Sequence, residues 1–198
     1  MRVMLVILSI VLVARVTRAD ADANAVRAKP KGDGLLVYGD GFMFAVKEPS
    51  GWKSDIQNAA RLGANIAFYH AGESPESAVA LVRVRVSGKV DENTAGDLQA
   101  DMDGYRQEYA GAAFEDIAVA HPSYRTFAKL FFVKDTFFEY VAYLNPGKGL
   151  PFILSVSMNK QRTRATKAEF ESFQEVVRTL RLFNGLKVIE QKADAGAP

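Results

Sequence analysis

Residues 41–55 read GFMFAVKEPSGWKSD. Phe42, Phe44 and Val46 alternate with Met43, Ala45 and Lys47, which is the period of a strand. Glu48-Pro49-Ser50-Gly51 ends the alternation. Pro49 cannot donate to a ladder and Gly51 admits positive φ, so the strand stops and turns there. Trp52, the chain's only tryptophan, follows at once. A large aromatic in that position folds back onto the core and closes the turn. The competing reading of Trp52 is a partly exposed aromatic at a ligand cleft.

Working outward, further strand-like runs occur near 64–70, 78–87, 124–133, 136–144 and 152–158. The last three read as an antiparallel meander. Lys134-Asp135 turns the first into the second, and NPGKGLP (145–151) makes the longer link. Tyr124, Ala128, Leu130 and Phe132 fall on one side of their strand, and Phe127, Phe131 and Val133 on the other. A sheet apolar on both faces needs a cover on each. Two helices supply the covers. Thr94-Ala-Gly-Asp97 has the form of a capping box, and Leu98, Met102, Tyr105 and Tyr109 follow on one helical face. Thr166-Lys-Ala-Glu169 repeats the signal, ahead of Phe170, Phe173, Val177 and Leu180. A short helix over 54–62, stopped by Gly63, is a weaker expectation. The class is therefore α+β, with a central antiparallel sheet of about six strands and helices packed on its faces.

The ends of the chain read differently. MRVMLVILSIVLVARVTRADADA (1–23) has a basic start, an apolar run from Val3 to Ala14 and small residues at 17, 19 and 21. That is the build of a secretory signal peptide covering 1–19, with cleavage between 19 and 23. A membrane span needs roughly 20 apolar residues, and Arg15 and Arg18 cut this run short. No transmembrane span is expected after processing. Residues 20–34 read as a flexible lead-in, 35–183 as a single domain and 184–198 as a loose tail. With 25 Lys+Arg against 23 Asp+Glu the whole chain carries +2; cleavage after Ala19 removes three arginines and no acid, leaving −1. That is not the footprint of a nucleic-acid binder. The chain has no cysteine, which excludes disulfides, thiol catalysis and thiolate metal sites. Stability must come from the core, which a domain of ~150 residues is large enough to build.

GFMFAVKEPSGW resembles the opening of PsbP-like and Mog-like domains, in which a strand ending in a Pro-x-Gly-Trp turn begins the fold. ANIAFYHAGESPESAVALVRVRV (64–86) resembles a secreted bacterial branch of the same superfamily. The helix, the meander and the closing helix follow in the family's order, so the resemblance spans about 38–183, in element order more than in identities. It implies an α/β/α sandwich. It implies little about activity: PsbP is a non-catalytic extrinsic subunit that stabilises a metal centre, the Mog relatives bind a small GTPase, and fold shared is not function shared. No residue pattern here matches either surface, and no site carries over.

The remaining motifs are weighed on their own chemistry. Glu115, Asp116 and His121 lack the spacing of a zinc site, and a solvated loop carrying one histidine is the favoured reading. Gly147-Lys148-Gly149 lacks the rest of a phosphate loop. No nucleophile elbow is present. Asp97, Asp101 and Glu108 read as a solvated helix face. No catalytic residue, metal ligand or cofactor site is expected. Arg83 and Arg85 alternate with Val82, Val84 and Val86, so both project from one side of a strand. They either snorkel at the sheet margin or form a small basic patch for an acidic partner. The candidate interaction residues are thus Arg83, Arg85, Trp52 and His70. The expected function is an exported, non-catalytic binding or assembly protein of the bacterial envelope, periplasmic or extracellular, with an envelope protein as partner. The alternative is a carrier of a small ligand or metal, or an enzyme, using a cleft near the EPSGW turn and residues 70–77.

Overall fold

The computed structural model describes residues 27–31, 34–39, 41–89, 94–147, 149–184 and 187–188. The expected leader at 1–19 lies outside them, as does the part of the expected tail (184–198) beyond 188. Among the described residues twelve strands form: β1 Arg27–Lys31, β2 Gly34–Gly39, β3 Phe42–Val46, β4 Trp52–Asp55, β5 Ile66–His70, β6 Ala80–Gly88, β7 Ala113–Asp116, β8 Arg125–Val133, β9 Phe137–Asn145, β10 Phe152–Gln161, β11 Arg181–Asn184 and β12 Lys187–Val188. Two α-helices accompany them, α1 Ala95–Glu108 and α2 Lys167–Thr179, with a 3-10 turn at Ala59–Leu62. The large sheet has seven antiparallel strands in the order β4-β5-β6-β10-β9-β8-β7. A second sheet runs β1-β2-β3-β11-β12.

The turn at Pro49–Trp52 forms as its residues dictate. Trp52 N–H donates to the Pro49 carbonyl at 3.1 Å and Gly51 sits at φ 78°, the geometry of a turn that needs glycine in its third position. Trp52 is 5% exposed and packs on His70, its partner across β4–β5, with ring centroids 4.3 Å apart. It is a core residue. The meander forms too, and Asp135 takes φ 60° in the tight β8–β9 turn.

Both faces of the large sheet are covered. On one, α1 lays Leu98, Met102, Tyr105 and Tyr109 against Phe127, Phe131, Phe137, Val141, Tyr143 and Ile153. Tyr105 meets Phe131 edge-on at 4.9 Å. On the other, Phe173, Val176, Val177 and Leu180 of α2 pack among Val82, Val84, Leu154, Val156 and Met158. The sandwich implied by the resemblance is the fold observed, with one addition: α2 shares its face with the second sheet, whose Val37, Phe44 and Val46 enter the same core. Full burial of each such side chain stabilises by about 1.5–3 kcal/mol.

Three local expectations need correction. Arg27–Lys31, inside the stretch read as a flexible lead-in, pairs with β2; Pro30 hides it from sequence reading, yet proline is tolerated on an edge strand. Residues 181–184 leave α2 as β11: Arg181 and Leu182 pair with β3, and Phe183 and Asn184 pair with β12, which lies inside the stretch 184–198 expected to be a loose tail. Thr94 forms no capping box: it sits at φ 63°, and its side chain makes no cap bond. The box at Thr166 is complete, with Thr166 Oγ1 accepting from Glu169 N–H and Glu169 Oε2 accepting from Thr166 N–H at 2.7 Å.

Candidate interaction face

Alternation along the strands decides which side chains share a face. Val82 and Val84 of β6 point into the α2 core, so Arg83 and Arg85 point to the α1 side. Register then places Arg85 opposite Ser155 of β10, and Ser155 opposite Tyr143 of β9; Arg83 stands opposite Ser157. The hydrophobic stripe of α1 covers the β8–β9 half of this face. Ala59 and Leu62, on the 3-10 turn, cover the β5 end with Ala67 and Leu81. Between them lies a shallow polar floor made by β6, β10 and β9.

The two arginines do different things there. Arg83 is only half-exposed and fully engaged. It donates to Glu139 Oε1 at 2.7 Å, Ser157 Oγ at 3.2 Å and the Leu62 carbonyl at 3.2 Å. Glu139 is nearly buried, its side chain 8% exposed against 29% for Arg83. Their pairing stitches three strands and the 3-10 turn together. Arg85 is exposed and makes no hydrogen bond or ion pair among the described residues. Asn159 Oδ1, opposite Glu139, is buried with no partner among the described residues.

Asp101 forms the rim. Asp97 and Asp101 flank the apolar stripe of α1 on the side toward this floor, so neither belongs to a solvated helix face as the sequence suggested. Asp97 is 7% exposed. Asp101 is exposed as a residue, but its carboxyl turns in and accepts the Tyr143 hydroxyl. Its pKa is pushed up to about 6, first by burial of the carboxyl and then by the Glu139 carboxylate; Arg85 pulls it back down and Asp97 adds to the rise. At the far end, Asp55 is held below the ordinary carboxylate range. Burial opposes that, but hydrogen bonds from Asn58 and Tyr69 outweigh it.

Sequence reasoning missed Glu139, Asp101 and Tyr143. A signal existed for the first: Glu139 is the one charge in FFEYVAYL, an otherwise apolar strand, and a lone acid there asks for a buried cation.

The other expected residues lie elsewhere. Trp52 and His70 face the α2 side, so the structure does not bring them to Arg83 and Arg85. His121 is corrected from a solvated loop to a buried one, 8% exposed. Its Nδ1 accepts the backbone N–H groups of Ser123 and Tyr124, both at 2.9 Å. Nε2 therefore carries the proton and donates to the Leu180 carbonyl at 2.8 Å. The ring lies flat on Tyr124 at 4.2 Å. Burial pushes its pKa down to about 4, against the Leu180 bond, and the Arg181 guanidinium adds to the fall. Glu115 is bound by Arg164 through two oxygens at 2.6 and 2.7 Å, and Asp116 by Lys129 at 2.7 Å, so the three do not converge. Near the EPSGW turn there is an open depression lined by Ser50 with Glu171, Glu175 and Arg178 of α2, to which residues 70–77 contribute nothing.

No protein-family model and no curated protein matches the chain. Solved structures do. LpqN, described as involved in cell envelope biogenesis of Mycobacterium tuberculosis, superposes over 85% of this chain and 98% of its own with a TM-score of 0.53 at 12% identity. Cyanobacterial PsbP from Synechocystis aligns over 81% of this chain and 94% of its own, with a TM-score of 0.42 at 12% identity. At that identity the likeness to LpqN is one of fold. No helix among the described residues is long and apolar enough to cross a membrane.

Proposed function

We propose that the chain is an exported, non-catalytic binding or assembly protein of the bacterial cell envelope, and that it holds an acidic partner protein against the floor between the 3-10 turn and α1. One observation carries the reading. Three carboxylates of this face are engaged from within, Glu139 by Arg83, Asp101 by Tyr143 and Asp55 by Asn58 and Tyr69, while Arg85 projects into solvent in no close ion pair and meets only the longer-range field of Asp101. The face thus offers a positive group against a fixed background, and a guanidinium presents carboxylates with a planar fork of donors. The Arg83–Glu139 pair supports a holding role, since it ties three strands and the 3-10 turn into one rigid floor. Export is supported by the leader-like first 19 residues. An envelope role is supported by the fold shared with LpqN.

The test is crosslinking capture from envelope extract with wild type, Arg85→Glu and Lys167→Glu, the last a charge change on the opposite side of the molecule. The expected result is a captured acidic protein that is lost with Arg85→Glu, kept with Lys167→Glu and reduced by added salt, since exposed charge attraction is screened. An Arg85→Glu variant that melts like wild type and captures the same proteins overturns the reading.

A further inference from the structure

We infer that the open end of β6, residues 86–88, takes up an extended segment of the acidic partner as an added strand, with an acid beside Arg85 and an apolar residue beside Val86. The inference rests on the proposed function and adds how the partner is held. On one side of β6 the pairing is complete: β10 runs beside it from Ala80 to Gly88. On the other side β5 pairs only from Leu81 to Val84. There the two strands part. Asn65 N–H donates to the Val84 carbonyl at 2.8 Å, although Ile66 already stands opposite Val84. Two residues against one make a bulge, and a bulge at this point ends the pairing. Among the described residues, 85–88 therefore have a strand on one side alone.

Alternation fixes which backbone groups are left over. Val84 turns its carbonyl to the β5 side, and Lys89 donates its N–H to the Pro151 carbonyl on the β10 side at 3.0 Å. Successive residues of a strand face opposite neighbours, so Val86 and Gly88 face the β5 side. The Val86 N–H is taken there by Asn65 Oδ1 at 2.6 Å. The Val86 carbonyl and both backbone groups of Gly88 have no hydrogen-bond partner among the described residues. Gly88 is exposed and has no side chain to bar the approach. Unpaired groups on a sheet edge are what an extended peptide bonds to. The outer edge of the same sheet is closed by comparison: on β4, Ser54 N–H is held by Glu48 Oε2 at 2.7 Å and Trp52 N–H by the Pro49 carbonyl at 3.1 Å.

The side chains beside the opening set the pattern of the added strand. Arg85 is exposed on the α1 face, and Val86 is half-buried against the α2 core. An added strand places its residues alternately on these two faces. An acid opposite Arg85 gains a cross-strand ion pair, and an apolar residue opposite Val86 extends the core. The segment that fits alternates acidic and apolar residues.

The test uses the full chain and the blocked peptide acetyl-Asp-Val-Asp-Val-Asp-amide. Two N-methylated forms separate strand addition from plain charge attraction. Methylation of the valines removes the N–H groups that face β6, and methylation of the aspartates removes those that face away. The valine-methylated peptide should bind about five- to tenfold more weakly than the parent, the loss expected for one or two hydrogen bonds. The aspartate-methylated peptide should bind as the parent does, and Arg85→Gln should weaken the parent. Amide exchange followed by NMR supplies the second readout. In the free protein Gly88 should exchange fast and Val86 slowly, and saturating parent peptide should slow Gly88 by about tenfold or more. If Gly88 is already protected in the free protein, the edge is covered and the inference is overturned. If the two methylated peptides bind alike while Arg85→Gln still weakens the parent, strand addition fails and the binding face stands. If Arg85→Gln binds as wild type does, or wild type does not bind, the acidic-partner reading itself fails and the strand site falls with it.

Discussion

Arg83 and Arg85 are the same residue type, two apart on one strand, and their surroundings make them different molecules. Removing Arg83 strands a nearly buried carboxylate, so Arg83→Gln should destabilise by about 3–5 kcal/mol. Arg85→Gln should cost less than about 1 kcal/mol, because it breaks no ion pair. Urea unfolding of the two variants checks this, and equal losses would mean that Glu139 is not the partner that matters. Sequence could place both arginines on one face but could not separate them, because the separating residue lies 56 positions away on β9. Trp52 was legible for the opposite reason: the turn that buries it is written in the three residues before it. Trp52→Ala should cost about 3–5 kcal/mol, read in the same titrations, and a loss below 1 kcal/mol would place its ring in solvent.

Among the elements, those with a full period of their own were readable. α2 has the complete capping box and a stripe that stays apolar through Val177. β6, β8, β9 and β10 are long enough for alternation to repeat. β4, β7 and β11 were not readable, being four residues each and defined by their partners rather than by themselves. The cap of α1 was misread because Thr94 sits at φ 63° rather than in the extended backbone from which an N-cap side chain reaches the first turn. At α2 the cap does more than end a helix. Glu169 also accepts from Lys160 of β10 at 2.6 Å, with both side chains under 10% exposed, so one carboxylate fixes the helix start and ties it to the sheet. Lys160→Met should therefore destabilise by about 3–5 kcal/mol, while adding Glu169→Gln should recover part of the loss by removing the stranded charge. A double-mutant cycle measures the coupling, and additive losses would show that helix and sheet are held independently.

For the molecule as a whole, the fold class was open to sequence reading because one large core joins the α2 face, the meander and the second sheet, while α1 covers the other face with a cluster of its own. What stayed hidden is how the segment before β8 closes that core, since His121 looks like a loop residue until Leu180, 59 positions on, is seen beside it. This closure gives the whole protein a pH signature. The folded state holds His121 near pH 4, against an ordinary value of 6.5, so between those limits the unfolded chain binds more protons than the folded one. Stability then rises with pH across that window and falls on acidification, by about 3 kcal/mol for this group. Asp101 has the opposite sign, since its raised value makes the folded state bind the proton in a similar interval. Carboxylates held low, such as Glu169 and Asp55, lose their contribution as the pH falls through their folded values. A wild-type profile therefore mixes these effects, and the informative quantity is a difference. His121→Gln should be less stable than wild type at pH 7, because it gives up the Nδ1 bonds. The gap should narrow by about 3 kcal/mol as the pH falls from 6.5 to 4, because only wild type must then protonate a buried ring that two N–H groups and Arg181 already face. Urea unfolding of the pair at half-unit steps provides the measurement. A gap that stays constant with pH would mean that His121 takes its proton as easily folded as unfolded, and that the segment before β8 is the open, solvated loop its sequence suggests.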